Sequence, residues 1–348
     1  MPTRVVTTDG LSYRFEEYRM PEIGPCDVRV RVEFAAPKHG TERQLILGSP
    51  LELKRFDPHL RMYFEREEPV QAGERPARGL GNMVVGTVTE VGPDVTRFSI
   101  GDRVFGYGPI QEEHQQGEGH WWPLGDLSES DAVCVDPAHV AFVAVRDGNV
   151  RVGDNVAVFG LGAIGLTAVQ IARAAGAFKV FAVDPITVRR DCAVHFGADL
   201  ALDPAAWDAA LEIKRATGDR GADVSIETSG NARALHESIR CLMQCGTVVH
   251  VPWGPGNCTD LRLNEEFHLN RISIIGSQAW AGWGNADRDF PRWTHERAFE
   301  AAIQLLRDGI ITGEGIVAPI VSFADCPDAL RMIFESPQET VKVGVRFE

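Results

Sequence analysis

Three glycines at residues 160–165 stand between two segments of different character. The run Val156–Phe159 is apolar and strand-like, and Gly160, Gly162 and Gly165 follow it with the spacing G-x-G-x-x-G before a helical stretch. In that setting the first glycine permits a tight turn, the second lets a ligand approach the backbone, and the third lets helix and strand pack closely. The free N–H groups at the start of the helix attract phosphate. This pattern predicts a binding site for a dinucleotide, to which the other turn residues Leu161, Ala163 and Ile164 also contribute.

An acidic residue is expected about 20 residues after such a turn, at the end of the next strand. Asp184 ends the apolar run Val180–Val183 and meets that requirement. A carboxylate there accepts hydrogen bonds from the adenosine ribose and repels a 2′-phosphate, so we expect NAD rather than NADP. Arg189 is expected to flank the same ribose. Thr228 and Val251, near the ends of later strands, are further predicted cofactor contacts.

The elements that must position these residues follow two patterns. Up to about residue 135, period-two strands such as Val28–Val32 and Met83–Val91 alternate with turns, which predicts a β-rich, barrel-like domain. Beyond it, short apolar strands alternate with helices, which predicts a parallel, doubly wound sheet. The last predicted strand, Lys342–Phe347, is expected to return to the first domain. The predicted class is α/β, with domains at residues 1–135 plus 319–348 and at residues 136–318.

The second domain is divided into individual elements by its apolar runs and glycines. Its predicted strands are Asn155–Phe159, Lys179–Val183, Leu200–Leu202, Asp223–Glu227, Thr247–Val251 and Ile272–Gly276. Its clearest predicted helices are Ala163–Ala175, Ala232–Met243 and Thr294–Arg307.

The composition narrows the classes of partner. The 348 residues carry a formal net charge of −14, which argues against nucleic acids and anionic membranes, because both need a basic face. No apolar run is long enough to span a bilayer, and the N-terminus lacks a signal-peptide pattern. The seven scattered cysteines indicate reduced thiols. We therefore expect a cytoplasmic protein that binds a small-molecule substrate.

Several short motifs give the whole chain a resemblance to a known family. Gly40-Thr41-Glu42, Gly81-Asn82-Met83, Gly101-Asp102-Arg103-Val104 and Glu227-Thr228-Ser229-Gly230 resemble motifs of the medium-chain dehydrogenase/reductase superfamily, in its zinc-alcohol-dehydrogenase and polyol-dehydrogenase branch. The resemblance implies a GroES-like catalytic domain with a Rossmann domain inserted into it. It also implies a homodimer or homotetramer, often paired through the sixth strand, here Ile272–Gly276.

The chain departs from this family at the positions of the catalytic zinc ligands. The resemblance puts His39 at a cysteine, Asn82 at a histidine and Met83 at a glutamate, with Asp136 at the last ligand. An amide and a thioether are poor zinc ligands, so we expect a zinc-free enzyme. The alternative is an unusual site that combines His39 and Asp136 with a third residue such as Glu113 or His114.

Without zinc, a side chain must handle the proton of the reacting hydroxyl group. His39 is the first candidate, because an imidazole titrates near neutral pH. The resemblance makes Thr41 a proton-relay residue, Lys38 is a second candidate for acid or carbonyl-polarising chemistry, and Asp136 could orient His39.

Aromatic and polar residues recur in three stretches that suit a sugar or polyol, whose C–H faces stack on rings. These stretches are Phe56–Phe64, Glu112–Trp122 and Ala279–Trp283. The first expectation is thus an NAD-dependent dehydrogenase that interconverts a secondary alcohol and a ketone. The alternatives are a zinc-free quinone or enone reductase of the same superfamily and a non-catalytic NAD-binding protein.

Overall fold

The computed structural model describes residues 1–9, 12–40, 42, 54–66, 77–254, 258–279, 284, 286–336, 338 and 340–348. The chain divides into two compact units. The first unit comprises Met1–Val133 and Val317–Glu348, and the second comprises Cys134–Ile316.

The strands and helices of the described residues are numbered in chain order. The strands are β1 Thr3–Thr7, β2 Tyr13–Glu17, β3 Asp27–Ala36, β4 Lys54–Asp57, β5 Met62–Glu65, β6 Arg78–Gly79, β7 Met83–Val91, β8 Arg103–Tyr107, β9 Glu113–Gly117, β10 Trp121–Pro123, β11 Asn155–Phe159, β12 Lys179–Val183, β13 Leu200–Leu202, β14 Ala222–Glu227, β15 Leu242–His250, β16 Ser273–Gly276, β17 Val317–Ser322 and β18 Lys342–Arg346. The α-helices are α1 Glu129–Ala132, α2 Val135–Asp147, α3 Ala163–Ala174, α4 Thr187–His195, α5 Ala209–Ala216, α6 Ala232–Arg240, α7 His295–Arg307 and α8 Cys326–Glu335, and Leu263–Phe267 forms a π-helical segment.

The first unit is built on a sheet with the strand order β10-β8-β7-β3-β18-β17, and β9 also pairs with β3. On β3 the apolar residues Val28, Val30 and Val32 are buried and join a core that includes Trp121, as the period-two pattern requires. Strand β18 pairs with β3 in antiparallel register, which confirms that the C-terminal strand returns to this unit.

The second unit contains one sheet of six strands in the order β13-β12-β11-β14-β15-β16, and every neighbouring pair is parallel. The residues Val156, Ala157 and Val158 of β11 are fully buried, because helices cover both faces of such a sheet. The chain leaves β11 first toward β12 and β13 and later toward β14, so the strand order reverses next to β11. This arrangement confirms the predicted doubly wound fold and places its ligand-binding switch point at the end of β11.

The predicted helix Ala232–Met243 was too long. Helix α6 ends at Arg240, and Leu242 already pairs with Ala222 of the neighbouring strand. The apolar period of the helix continues into Leu242 and Met243, so the pattern alone did not separate the two elements. Cys245 then adopts a left-handed φ of 61°, beside an irregularity in the β14–β15 ladder.

Asp136 and Pro137 lie inside the first turn of helix α2. Proline is tolerated there because a first-turn N–H has no partner within the helix. The aromatic stretch Phe56–Phe64 lies on the β4–β5 hairpin. No helix among the described residues is long and apolar enough to cross a bilayer.

His114 of β9 is a buried imidazole whose two ring nitrogens are both engaged. Its Nε2 lies 2.9 Å from the carbonyl oxygen of Pro109 and its Nδ1 lies 3.3 Å from the side-chain nitrogen of Gln111. The ring is therefore neutral, with the proton on Nε2. Burial lowers the pKa of His114 to about 4, because the charged form would lose its hydration.

We predict that His114 makes the protein acid-sensitive. His114 is protonated near pH 6.5 in the unfolded chain but only near pH 4 in the folded chain. As the pH falls from 6.5 to 4, the free energy of unfolding should therefore decrease by about 3 kcal/mol. Urea unfolding at several pH values should show a shallower loss of unfolding free energy for His114→Gln than for the parent. The matched control is His120→Gln, at an exposed position. Equal slopes for the parent and His114→Gln would contradict this account.

Candidate active site

Two glycines of the turn between β11 and α3 leave no room for a side chain. Gly160 has a left-handed φ of 85°, and a Cβ there would lie 2.7 Å from the backbone nitrogen of Ser229. A Cβ on Gly165 would lie 1.9 Å from the carbonyl oxygen of Gly160. The Thr228 hydroxyl donates to that same carbonyl at 2.7 Å and so holds the turn on the neighbouring strand. The turn is thus a tightly packed and fixed element.

Gly162 differs from its two neighbours in this turn. It is the N-cap of α3, with an ordinary negative φ, and a Cβ there would meet no heavy atom within 4 Å. Gly162 therefore leaves open space next to the first helical turn, whose N–H groups have no partner within the helix. An open cradle over a helix N-terminus fits a pyrophosphate group.

Asp184 follows β12 and is 4% exposed. Its Oδ2 accepts a hydrogen bond from the Leu161 N–H at 2.7 Å, and its Oδ1 accepts from the Ile186 N–H at 2.8 Å. Nη1 of Arg189 lies 3.9 Å from Oδ2, and burial lowers the pKa of this guanidinium. The acidic residue is therefore bound directly to the glycine turn, and its contact and that of Arg189 with a cofactor ribose remain predictions.

The remaining predicted cofactor contacts lie around the same edge of the sheet. The Leu161 side chain is fully buried, so its backbone is the part that can face a ligand. Ala163 and Ile164 are partly exposed in the first turn of α3, and Val251 is partly exposed just after β15. Their contact with a cofactor remains a prediction.

A buried pair at the carboxyl ends of β14 and β15 was not among the predicted site residues. Oε1 of Glu227, a fully buried residue, accepts from the Ser229 N–H at 2.6 Å and the Gly230 N–H at 3.1 Å. Its Oε2 lies 3.1 Å from Nδ1 of His250, although the two are not aligned for a hydrogen bond. The available signal was that Glu227 and His250 each end a strand of the predicted parallel sheet.

In the first unit, the carboxylate of Glu42 is held by backbone amides. Its Oε1 accepts from the Gly81 N–H at 2.6 Å and its Oε2 accepts from the Lys38 N–H at 3.1 Å. Burial raises the pKa of Glu42, while these hydrogen bonds and the charges of Lys38 and Lys342 oppose the rise. Gly81 has a φ of 148° and no room for a Cβ beside Pro109, so its backbone N–H, the donor to Glu42, is held in place.

Strand β18 joins the same polar cluster through Lys342, which is 2% exposed. Its ammonium donates to the Pro37 carbonyl oxygen at 2.7 Å. The next residue, Val343, donates its N–H to Nε2 of His39 at 3.1 Å. Nε2 is therefore the unprotonated nitrogen, and the neutral His39 ring carries its proton on Nδ1. The sequence offered a signal for Lys342, a lysine between valines in a strand, but it was not among the predicted site residues.

The residues in this cluster do not fit a zinc site. The lone pair of His39 Nε2 is occupied by a backbone N–H, and the Met83 side chain is fully buried. Lys342 adds a buried positive charge, which opposes a dication. Among the described residues, His39 belongs to no group of three histidine, cysteine or acidic side chains whose ligand atoms lie within 4.8 Å of one another. His114, the alternative ligand, uses both ring nitrogens elsewhere.

The other predicted catalytic residues are placed as follows. Asp136 is buried in the first turn of α2, in the second unit, and its role toward His39 remains a prediction. Thr41 lies outside the described residues, as do the tryptophans of the Ala279–Trp283 stretch.

The aromatic stretches differ in exposure. Trp121 is fully buried in the core, so this part of the second stretch serves packing. The β4–β5 hairpin instead exposes Leu60, Met62, Tyr63 and Phe64, with the Arg55 guanidinium over the Phe64 ring.

Comparisons with known proteins agree with this architecture. Residues 56–140 match the alcohol dehydrogenase GroES-like domain, and residues 163–309 match the zinc-binding dehydrogenase domain. The chain is 40% identical over 338 residues to a D-guloside 3-dehydrogenase of Escherichia coli strain K12, covering 95% of this chain and 96% of that protein. It is 27% identical to an (R,R)-butanediol dehydrogenase of Bacillus subtilis, covering 90% of each chain.

Solved structures show the same fold. An oxidoreductase of unknown specificity from Escherichia coli superposes with a TM-score of 0.81 at 19% identity and 100% coverage of both chains. The 2R,3R-butanediol dehydrogenase from Bacillus subtilis superposes with a TM-score of 0.77 at 23% identity and 99% coverage of both. The domain matches and the relative with 40% identity make the chain an oxidoreductase of the alcohol-dehydrogenase type. It belongs to the medium-chain dehydrogenase/reductase superfamily, in the polyol-dehydrogenase-like branch, as the motifs predicted.

We predict that Gly162→Ala weakens cofactor binding without weakening the fold. The added methyl meets open space in the protein but enters the cradle over the helix N-terminus. The dissociation constant for NADH, measured by fluorescence titration, should rise by about 10-fold or more, since obstructing one charged hydrogen-bonding contact costs about 1.5–3 kcal/mol. Gly119→Ala is the matched control, because its Cβ also meets open space. Unchanged NADH affinity in Gly162→Ala would place the cofactor elsewhere.

Proposed function

We propose that the protein is an NAD-dependent dehydrogenase that oxidises a secondary hydroxyl group of a sugar or sugar-like substrate. The observation that carries the proposal is the open cradle at Gly162, with the carboxylate of Asp184 bound to the same turn. NAD, when bound, would supply the hydride acceptor. Gly160, Gly162 and the start of α3 would hold its pyrophosphate, and Asp184 its adenosine ribose.

The proposed substrate class rests on the relatives and on exposed rings. The relative with 40% identity is a D-guloside 3-dehydrogenase, which favours a glycoside oxidised at a ring hydroxyl. The exposed Tyr63 and Phe64 of the β4–β5 hairpin are suited to stacking on the C–H face of a sugar.

The direct test is NADH formation, followed by absorbance, with a panel of glycosides, free sugars, polyols and 2,3-butanediol. We expect turnover of a glycoside, and a keto product at one ring carbon by NMR. Reduction of enones or quinones without any alcohol oxidation would instead support the reductase alternative. NADH binding without turnover of any compound would support a non-catalytic protein.

We further propose that proton transfer uses side chains of the first unit and needs no zinc. The Val343 N–H occupies Nε2 of His39 and leaves the ring proton on Nδ1, which supports a role for this ring as a hydrogen-bond donor to the substrate oxygen. A proton leaving the hydroxyl group then needs another acceptor, for which Lys38 is the candidate, with Thr41 assisting. Because His39 is proposed as the hydrogen-bond donor, Lys38 is favoured over His39 as the base. The buried ammonium of Lys342 supplies a fixed positive charge to the same cluster.

Two variants separate these roles. We predict that Lys38→Met lowers kcat for alcohol oxidation by about 10²–10⁴-fold, because the base is lost. His39→Gln keeps an acceptor for the Val343 N–H, so it should lower kcat by a smaller factor. Lys54→Met, at a partly exposed hairpin position, is the control. A larger loss of kcat in His39→Gln than in Lys38→Met would reverse the assignment.

We predict that Asp184→Asn shifts cofactor preference toward NADP. The substitution removes the charge that repels a 2′-phosphate and releases Arg189 from its ion pair. The ratio of kcat/KM for NAD to that for NADP should fall by about 10–100-fold, the effect of one or two charged hydrogen bonds. Asp203→Asn is the matched control, because Asp203 also pairs with an arginine, Arg190, at 3.4 Å. An unchanged ratio would contradict the ribose assignment.

We also propose a homodimer or homotetramer paired through β16. This strand ends the six-stranded sheet and exposes Ile274. An edge strand with free backbone groups and an apolar side chain can add a second copy of the sheet.

A further inference from the structure

We propose that the second unit contains a divalent-cation site formed by His236, Glu265 and Glu266. One ring nitrogen of His236 and one carboxylate oxygen from each glutamate lie within 4.8 Å of one another. His236 belongs to α6, and the two glutamates belong to the π-helical segment Leu263–Phe267. The inference does not depend on the proposed function, because none of these residues belongs to the glycine turn or to the His39 cluster.

Two buried polar atoms in this group have no hydrogen-bond partner among the described residues. They are Nδ1 of His236 and Oε2 of Glu266. His236 is only 9% exposed, and buried polar groups in native proteins are normally paired. A metal ion bound among these side chains would accept lone pairs from their nitrogen and oxygen atoms and remove the cost of leaving buried polar atoms unsatisfied.

The backbone explains how two consecutive glutamates reach one point. In a regular helix, successive side chains are rotated by about 100°, so neighbouring residues do not face each other. At Glu265 the backbone leaves helical geometry, with φ −99° and ψ −125°. This kink lets the carboxylates of Glu265 and Glu266 lie near the same imidazole.

The surrounding charges favour a cation. Nε of Arg240 lies 3.6 Å from Oε1 of Glu266, which leaves Oε2 for a metal. The same guanidinium is bound by Asp208 at 2.9 Å and by Glu237 at 2.8 Å, so its charge is already neutralised. Nη1 of Arg262 lies 3.5 Å from Glu265. Four carboxylates thus face two guanidinium groups, which leaves a net negative field.

The donor set selects the class of metal. One imidazole nitrogen and two carboxylate oxygens suit Zn²⁺ and related divalent transition metals, with water in the remaining position. Zinc bonds of about 2.0–2.1 Å place tetrahedral ligand atoms about 3.3 Å apart. The observed spread of up to 4.8 Å therefore needs a small contraction of flexible side chains.

The test is Zn²⁺ binding to the full-length protein after removal of metals with a chelator, measured by calorimetry. Co²⁺ absorption in the visible range serves as a second readout of coordination. We expect one saturable site in the parent, and an affinity at least about 100-fold lower in His236→Gln, a larger loss than the 10–100-fold caused by changes beside a metal ligand. Glu265→Gln and Glu266→Gln should each weaken binding as well.

A matched control lies close by. His268→Gln removes an exposed imidazole that follows the same segment but lies outside the trio. It should keep the affinity of the parent. Thermal unfolding without zinc establishes that each variant folds, and added zinc should raise the unfolding temperature of the parent but not of His236→Gln. Undetectable zinc binding by the parent, or unchanged binding by folded His236→Gln, would overturn the proposal. NADH titrations of the same variants report separately on the nucleotide turn.

Discussion

The contact between Gly165 and the carbonyl of Gly160 fixes the geometry on which the nucleotide site depends. A side chain at Gly165 would push the start of α3 away from β11, and one at Gly160 would meet the backbone of Ser229 after β14. With that contact made, the Leu161 N–H reaches Asp184, the Thr228 hydroxyl reaches Gly160, and the first turn of α3 is left open above Gly162. One packing constraint therefore sets the positions of the proposed phosphate cradle, of the Asp184 carboxylate and of the link to the next strand.

In the first unit, the polar cluster around His39 and Lys342 includes a position of the family's zinc ligands. Where relatives are expected to hold a zinc ion, this chain has an amide, a buried thioether and a histidine whose Nε2 accepts a backbone hydrogen bond. Positive charge comes instead from the buried ammonium of Lys342 beside the Glu42 carboxylate. Such a fixed charge can stabilise a polarised substrate oxygen without moving during the reaction. The arrangement supports a zinc-free proton-transfer role for Lys38 and His39.

The sequence predicted the features that depend on local rules. Strands β11, β12 and β13 were predicted at their observed bounds, because buried parallel strands are apolar runs that end at turns. The end of α6 was wrong, because the apolar period of the helix continues into β15. The partners of His39, Glu42 and His236 could not be predicted, since Val343, Gly81 and the Glu265–Glu266 pair come from distant parts of the chain. Only the fold brings those atoms together.

The account is tested most directly by alcohol oxidation after exhaustive chelation, with the absence of zinc at the time of assay checked by elemental analysis. Elemental analysis alone would not show whether the reaction needs zinc, because zinc bound at the proposed His236 site would also be counted. We predict that the stripped protein oxidises its sugar substrate with NAD at the rate of the untreated protein, and that His236→Gln behaves in the same way. Loss of turnover on stripping, restored by one equivalent of Zn²⁺ in both the parent and His236→Gln, would contradict the zinc-free mechanism.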